Sequence, residues 1–263
     1  MQSAAKHDRP LVLFFIRNTP LTPYPLKPAL IFDMDGVLVD NTPAQARAFQ
    51  LLFRDLGLTT NARQLLARLN GMSATDILKQ VFRHAVPKKQ IEEYASQREF
   101  LYRTLYWSKR QAMPGLVSFL KTAREACLPI ALGTGSPPET IAYIIDHLDL
   151  RQYFDVVVGK EDVDRGKPYA DTFSTAAAKL GADPKYCIVF EDAVLGEQAA
   201  YKAGMRCVAV ASSLPAKAFQ APLTVIKDFN DFTPAQLLAL LEQQPEAPKP
   251  DKQRAQRQYM HLG

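Results

Sequence analysis

Apolar positions along this chain fall into two rhythms. Ala29-Leu30-Ile31-Phe32 runs unbroken into Asp33, and Val37-Leu38-Val39 resumes after Asp35-Gly36. A continuous apolar run predicts a strand buried on both faces, with Asp33 at its carboxyl end. From residue 41 the rhythm turns helical. Pro43 opens a pattern reaching Leu56, with Ala48, Leu51, Leu52 and Leu56 on one stripe, and Gly57 closes it. Helical segments follow at about 62–69, Ser73–Ala85 and Lys88–Tyr106. Ser73 with Asp76 three residues on forms an N-cap arrangement, and Pro87 and Pro114 bracket the last helix. No strand pattern interrupts residues 41–112.

Beyond residue 112 short apolar runs alternate with helical patterns. Strands are predicted over Pro129–Gly133, Phe154–Val158, Tyr186–Glu191, Arg206–Ala211 and about Leu223–Ile226. Helices are predicted near 115–125, 137–148, 169–180, 193–203 and 234–242. That alternation predicts an α/β fold, a parallel sheet with helices on both faces. The helical block 41–112 then interrupts a core made of 29–40 and 113–243. Residues 1–28 read as a proline-rich extension and 244–263 as a disordered tail.

A length of 263 residues suits one large domain, or a domain with a smaller companion, and an apolar fraction of 47% is that of an ordinary globular protein. No apolar run approaches a membrane span. The net charge of +5 resides in the two ends, +3 in 1–28 and +2 in 244–263, which leaves 29–243 neutral. Charge so placed marks solvated tails and argues against a nucleic-acid partner. Cys127, Cys187 and Cys207 have no metal spacing and no disulfide framework; buried free thiols in a reducing compartment are expected. Leu11–Ile16 is too short for a good signal-peptide core, so the expected location is cytoplasmic. A monomer or weak dimer is expected.

Chemistry gathers at predicted strand ends, where open α/β sheets bind ligands. Asp33 and Asp35 share one face of an extended chain and repel, so the pair needs a cation or a shared proton. Gly133-Thr134-Gly135-Ser136 offers hydroxyls and amides ahead of a helix, suited to an oxyanion, although Ser136 also reads as a plain N-cap. Lys167, in Gly166-Lys167-Pro168, is a point charge before the next helix. Glu191-Asp192 ends an apolar strand with the hard oxygens Mg²⁺ takes.

In order, Asp-x-Asp-Gly, Thr, Lys-Pro and Glu-Asp at strand ends resemble the haloacid dehalogenase superfamily over roughly residues 29–243. The inserted helices resemble the α-helical cap of its β-phosphoglucomutase-like and sugar-phosphate phosphatase subgroup. The resemblance implies a Rossmann-like three-layer core and a Mg²⁺-dependent phosphatase acting on a small phosphorylated metabolite through phosphoaspartate. Asp33 is then the nucleophile and Asp35 the general acid and base. Thr134, Gly135 and Lys167 hold the phosphoryl oxygens. Asp33, the Asp35 backbone carbonyl, Asp192 and Glu191 serve the metal. Asp35 favours phosphoryl transfer, because the dehalogenases lack this second aspartate.

Two cap positions depart from the mutases. Gln45 stands where they carry a histidine, and Ala74 follows Gly71-Met72-Ser73 where they carry an arginine. Both departures favour hydrolysis over the alternative, a β-phosphoglucomutase-type isomerase. Arg47 and Arg98 are candidates to touch substrate; the plain alternative for each is a solvated helix-face arginine.

Overall fold

The computed structural model describes residues 27–83 and 85–243. The expectations for residues 1–26 and for the tail 244–263 lie outside the described residues. Strand β1 (Ala29–Phe32) is followed by four helices, α1 (Thr42–Asp55), α2 (Ala62–Leu69), α3 (Ala74–Phe82) and α4 (Lys88–Tyr106). Helix α5 (Leu116–Glu125) then leads to β2 (Ile130–Gly133), α6 (Pro138–Ile145) and β3 (Val156–Val158). Next come α7 (Asp171–Leu180), β4 (Cys187–Glu191), α8 (Val194–Lys202), β5 (Arg206–Val210), β6 (Thr224–Ile226) and α9 (Pro234–Gln243).

The strands form one six-stranded parallel sheet in the order β3-β2-β1-β4-β5-β6. The chain builds outward from β1 on one side, then returns to pair β4 with its other edge. That reversal opens a crevice at the strands' carboxyl ends. Register brings those ends level, since Phe32 pairs with Leu132 on one side and with Phe190 on the other.

Side chains alternate between two apolar layers, as strand geometry dictates. Leu30, Phe32, Leu132, Ile188, Phe190 and Val208 join one core with Leu116, Phe119, Ile144 and Leu237. Ile31, Ala131, Val189 and Cys207 join the other with Phe173, Ala176 and Ala199. Phe32 and Phe190 stack at 4.4 Å, and Phe119 meets the edge of each ring. Burying each such ring contributes about 1.5–3 kcal/mol. This aromatic floor therefore holds the two strands at the residues just before Asp33 and Glu191.

Helices α1 to α4 have a core of their own, in which Phe49, Leu52, Phe53, Leu66, Ile77, Leu78 and Ile91 are buried. They lie over the crevice. Helix α3 begins as the sequence suggests, with Ser73 Oγ accepting from the Asp76 amide at 3.2 Å, but ends at Phe82 with Arg83 in the left-handed region. Cys187 and Cys207 are buried thiols; Cys127 is exposed, in the turn that closes α5, against the expectation for it.

Candidate active site

Strand β1 ends at Phe32, and the chain turns at once. Met34 dips into the core while Asp33 and Asp35 stay on the crevice side. The turn is closed by Leu38 N–H to Met34 O at 2.9 Å and Gly36 N–H to Val39 O at 2.8 Å. Gly36 has φ +73°, and a Cβ there would collide with the Asp192 carboxylate. The turn thus needs glycine twice, for its conformation and for its closeness to β4.

Lys167 is buried, with Nζ 2.6 Å from Asp33 and 2.5 Å from Glu191. It stands four residues ahead of α7 rather than at the helix start, with the Phe173 ring 4.8 Å away. Burial opposes its charge, but Asp33 and Glu191 overcome that and raise its pKa. Asp33, Glu191 and Asp192 lie with ligand oxygens within 4.8 Å of one another, all buried. Burial raises Asp33 to about 6, with Lys167 opposing and Glu191 adding to the rise. Burial, then the charges of Glu191 and Asp33, push Asp192 well above the usual carboxylate range. One lysine against three buried carboxylates leaves the cluster short of positive charge. Its donors are all hard oxygens, so it fits Mg²⁺.

Asp35 is held by three groups. Asn41 Nδ2 donates to Oδ1 at 2.6 Å, Gln45 Nε2 to the same oxygen at 3.1 Å, and Ser136 Oγ to Oδ2 at 3.2 Å. Burial and the Asp33 charge raise it to about 6, against the Asn41 amide. Asn41 precedes α1 but makes no side-chain cap bond; its amide goes to Asp35 and to the Tyr102 hydroxyl at 2.6 Å. Ser136 is likewise no N-cap, because α6 begins at Pro138 after Pro137.

Thr134 is buried at the end of β2, its backbone N–H on Val158 O and its Oγ1 accepting from the Ser136 amide at 3.3 Å. A Cβ on Gly135 would stand 3.4 Å from the Ser73 amide, so the cap loop approaches closely there. Arg98 lines the same cavity and is buried, overturning its reading as a solvated arginine. Its guanidinium lies 4.5 Å from the Phe49 ring and donates to Glu99 at 2.7 Å. Arg47 does not reach the cavity. It is exposed and donates to Gln50 at 2.9 Å, because positions 45, 48, 49 and 52 of α1 take the inward face and 47 falls outside it.

Sequence reasoning missed Asn41, Asn70 and Ser213 as neighbours of the buried carboxylates, and read Ser136 as an oxyanion donor or an N-cap rather than as a partner of Asp35. Each is a small polar residue beside a turn or helix end, where capping is the ordinary explanation. Of the three missed residues only Asn70, in the Asn-Gly pair abutting the noted Gly71-Met72-Ser73, carried any signal.

A parallel sheet with a switch-point crevice, a helical insertion over it and carboxylates at adjoining strand ends define a hydrolase of the haloacid dehalogenase type. The chain belongs to the haloacid dehalogenase-like hydrolases, whose family pattern matches residues 30–210. It is 34% identical over 181 residues to fructose-1-phosphate phosphatase YqaB of Escherichia coli, covering 69% of this chain and 95% of that one. It is 29% identical over 187 residues to hexitol phosphatase B of the same organism, covering 69% and 82%. Among solved structures, β-phosphoglucomutase from Clostridium difficile superposes with a TM-score of 0.74 at 22% identity, covering 83% of this chain and 98% of that one, and so shares the fold. No helix among the described residues is long and apolar enough to cross a membrane.

Proposed function

We propose that the protein is a Mg²⁺-dependent phosphatase of a small phosphorylated metabolite, a sugar phosphate, working through phosphoaspartate. The observation that carries this reading is Asp33 bound to Lys167 at 2.6 Å while Asp35 is held beside it. Names of relatives such as YqaB support the substrate class.

Asp33 Oδ attacks phosphorus, an aspartyl O–P bond forms and the ester O–P bond breaks. Asp35 gives its proton to the departing alkoxide. A water then attacks the phosphoaspartate, its proton passes to Asp35, and inorganic phosphate leaves with Asp33 restored. An acid retaining its proton to about pH 6 suits the first step. Lys167 spans nucleophile and phosphoryl group, and Thr134 and Gly135 offer further donors to the phosphoryl oxygens.

Mg²⁺ would be held by Asp33, Asp192 and the Asp35 backbone carbonyl, and would neutralise phosphoryl charge. Both oxygens of Glu191 are already engaged, Oε1 by Lys167 and Oε2 by the Ala193 amide at 3.0 Å. It therefore serves chiefly to orient Lys167 and contributes its charge to the metal site. Such an enzyme belongs in the cytoplasm, with its substrates.

The test is phosphate release from a panel of sugar phosphates, with and without Mg²⁺. Metal-independent release, or none from any ester, would overturn the reading.

A further inference from the structure

We propose that the alcohol this site releases is an uncharged polyol, and that the side-chain carbonyls of Asn41 and Gln45 and Nε of Arg98 read its hydroxyl groups. The inference rests on the phosphomonoesterase reading above and extends it to the leaving group.

Asn41 Oδ1, Gln45 Oε1 and Arg98 Nε are buried and lack a hydrogen-bond partner among the described residues, and all three residues line the cavity above Asp35. Native interiors leave few polar atoms unpaired, so three on one cavity point to a ligand as the partner. The orientation of the two amides is set by chemistry. Each turns its NH₂ to Oδ1 of Asp35, and flipping either would press a carbonyl against a carboxylate. Asp35 thus makes both amides present acceptors. An acceptor calls for a donor, and a phosphate ester and an ether have none; hydroxyl groups do.

The charge balance excludes an acidic leaving group. Among the described residues Arg98 is the one cationic side chain lining the cavity, and it is bound to Glu99, whose other oxygen accepts from Thr140 at 2.9 Å. Nε remains as a directional donor to a hydroxyl lone pair. The neighbouring cap position is Ala74, which supplies a methyl group. A second phosphate or a carboxylate would meet Glu99 with no free cation among the described residues of the lining to offset it.

The test compares kcat/KM for three esters of one chain length: glucitol 6-phosphate, 6-phosphogluconate and n-hexyl phosphate. The polyol ester should exceed both others at least about hundredfold, n-hexyl phosphate because sites that bond hydroxyls reject analogues lacking them and 6-phosphogluconate because its carboxylate would meet Glu99. In Gln45→Met the preference for glucitol 6-phosphate over n-hexyl phosphate should fall about tenfold or more; taking the ratio cancels any shared effect through Asp35. Equal rates for the three esters would overturn the proposal, as would an unchanged preference in Gln45→Met. The ester comparison uses the unaltered chain, so it decides the matter even where a variant does not fold. If no ester, p-nitrophenyl phosphate included, releases phosphate, the phosphomonoesterase reading has failed and takes this proposal with it.

Discussion

The side-chain amide of Asn70 donates to Oδ2 of Asp192 at 3.0 Å, joining the loop between α2 and α3 to the end of β4. Ser213 Oγ, from the core, is bonded to the same oxygen. Together they occupy Oδ2 and leave Oδ1 for a cation. Groups that orient a metal ligand are worth about 10- to 100-fold in metal affinity. Asn70→Ala is expected to weaken Mg²⁺ binding by about tenfold, measured by calorimetry. Unchanged affinity would mean that Ser213 alone orients Asp192.

Asp33→Asn keeps the shape of the side chain and removes the nucleophile. Turnover is expected to fall at least about ten-thousandfold. The variant should still fold, because it also removes one of three mutually repelling buried carboxylates. Hydrolysis at the normal rate would take Asp33 out of the nucleophile's role.

Asp33 and Asp35 keep their protons to about 6 in the fold, whereas an unfolded aspartate loses its proton near about 3.9. A folded state that binds protons more tightly loses stability as pH rises between those values. On their account the metal-free protein weakens from about pH 4 to about pH 6, and Mg²⁺ restores stability above that window. The rise in Tm on adding Mg²⁺ should be large near neutral pH and small near about pH 4.5. An equal rise at both would show that the cation does not compete with these protons.

Gly36→Ala places a methyl group in a turn with φ +73° and against the Asp192 carboxylate. The left-handed conformation alone costs about 1–2 kcal/mol, and the collision adds to it. A loss of at least about 2 kcal/mol is expected by urea denaturation, together with weaker Mg²⁺ binding. A variant as stable as the parent would show that the turn can move away from β4.

Glutamine does not change protonation near neutral pH, whereas histidine does. Gln45 therefore holds Asp35 by a hydrogen bond from an amide that does not titrate, and phosphoaspartate should be hydrolysed as soon as the alcohol leaves. Supplied with β-glucose 1-phosphate and a trace of glucose 1,6-bisphosphate, the enzyme should release phosphate in excess of glucose 6-phosphate. Isomerisation with little phosphate would promote the mutase reading.

Much of this protein is legible without coordinates, for a local reason. A strand buried on both faces is apolar along its length, so the three central strands are each visible as a run that stops at its chemistry: Phe32 before Asp33, Gly133 before Thr134, Phe190 before Glu191. Helix periodicity likewise marks the insertion, while Gln45 is singled out by the resemblance and its place on the inward face of α1 comes from the structure. What the tertiary structure decided is which polar groups meet. Arg47 and Arg98 are both arginines on amphipathic helices, and only packing turns one onto Phe49 and Glu99 and leaves the other in solvent. Asn41 and Ser136 carry the local signature of helix caps, but a buried carboxylate on another segment outbids the helix for their hydrogen bonds. Asn70 and Asp192 stand 122 residues apart, and no pattern along the chain pairs them. A hydrogen bond of that kind depends on the distance and direction between two segments, which only the packing of cap on core sets.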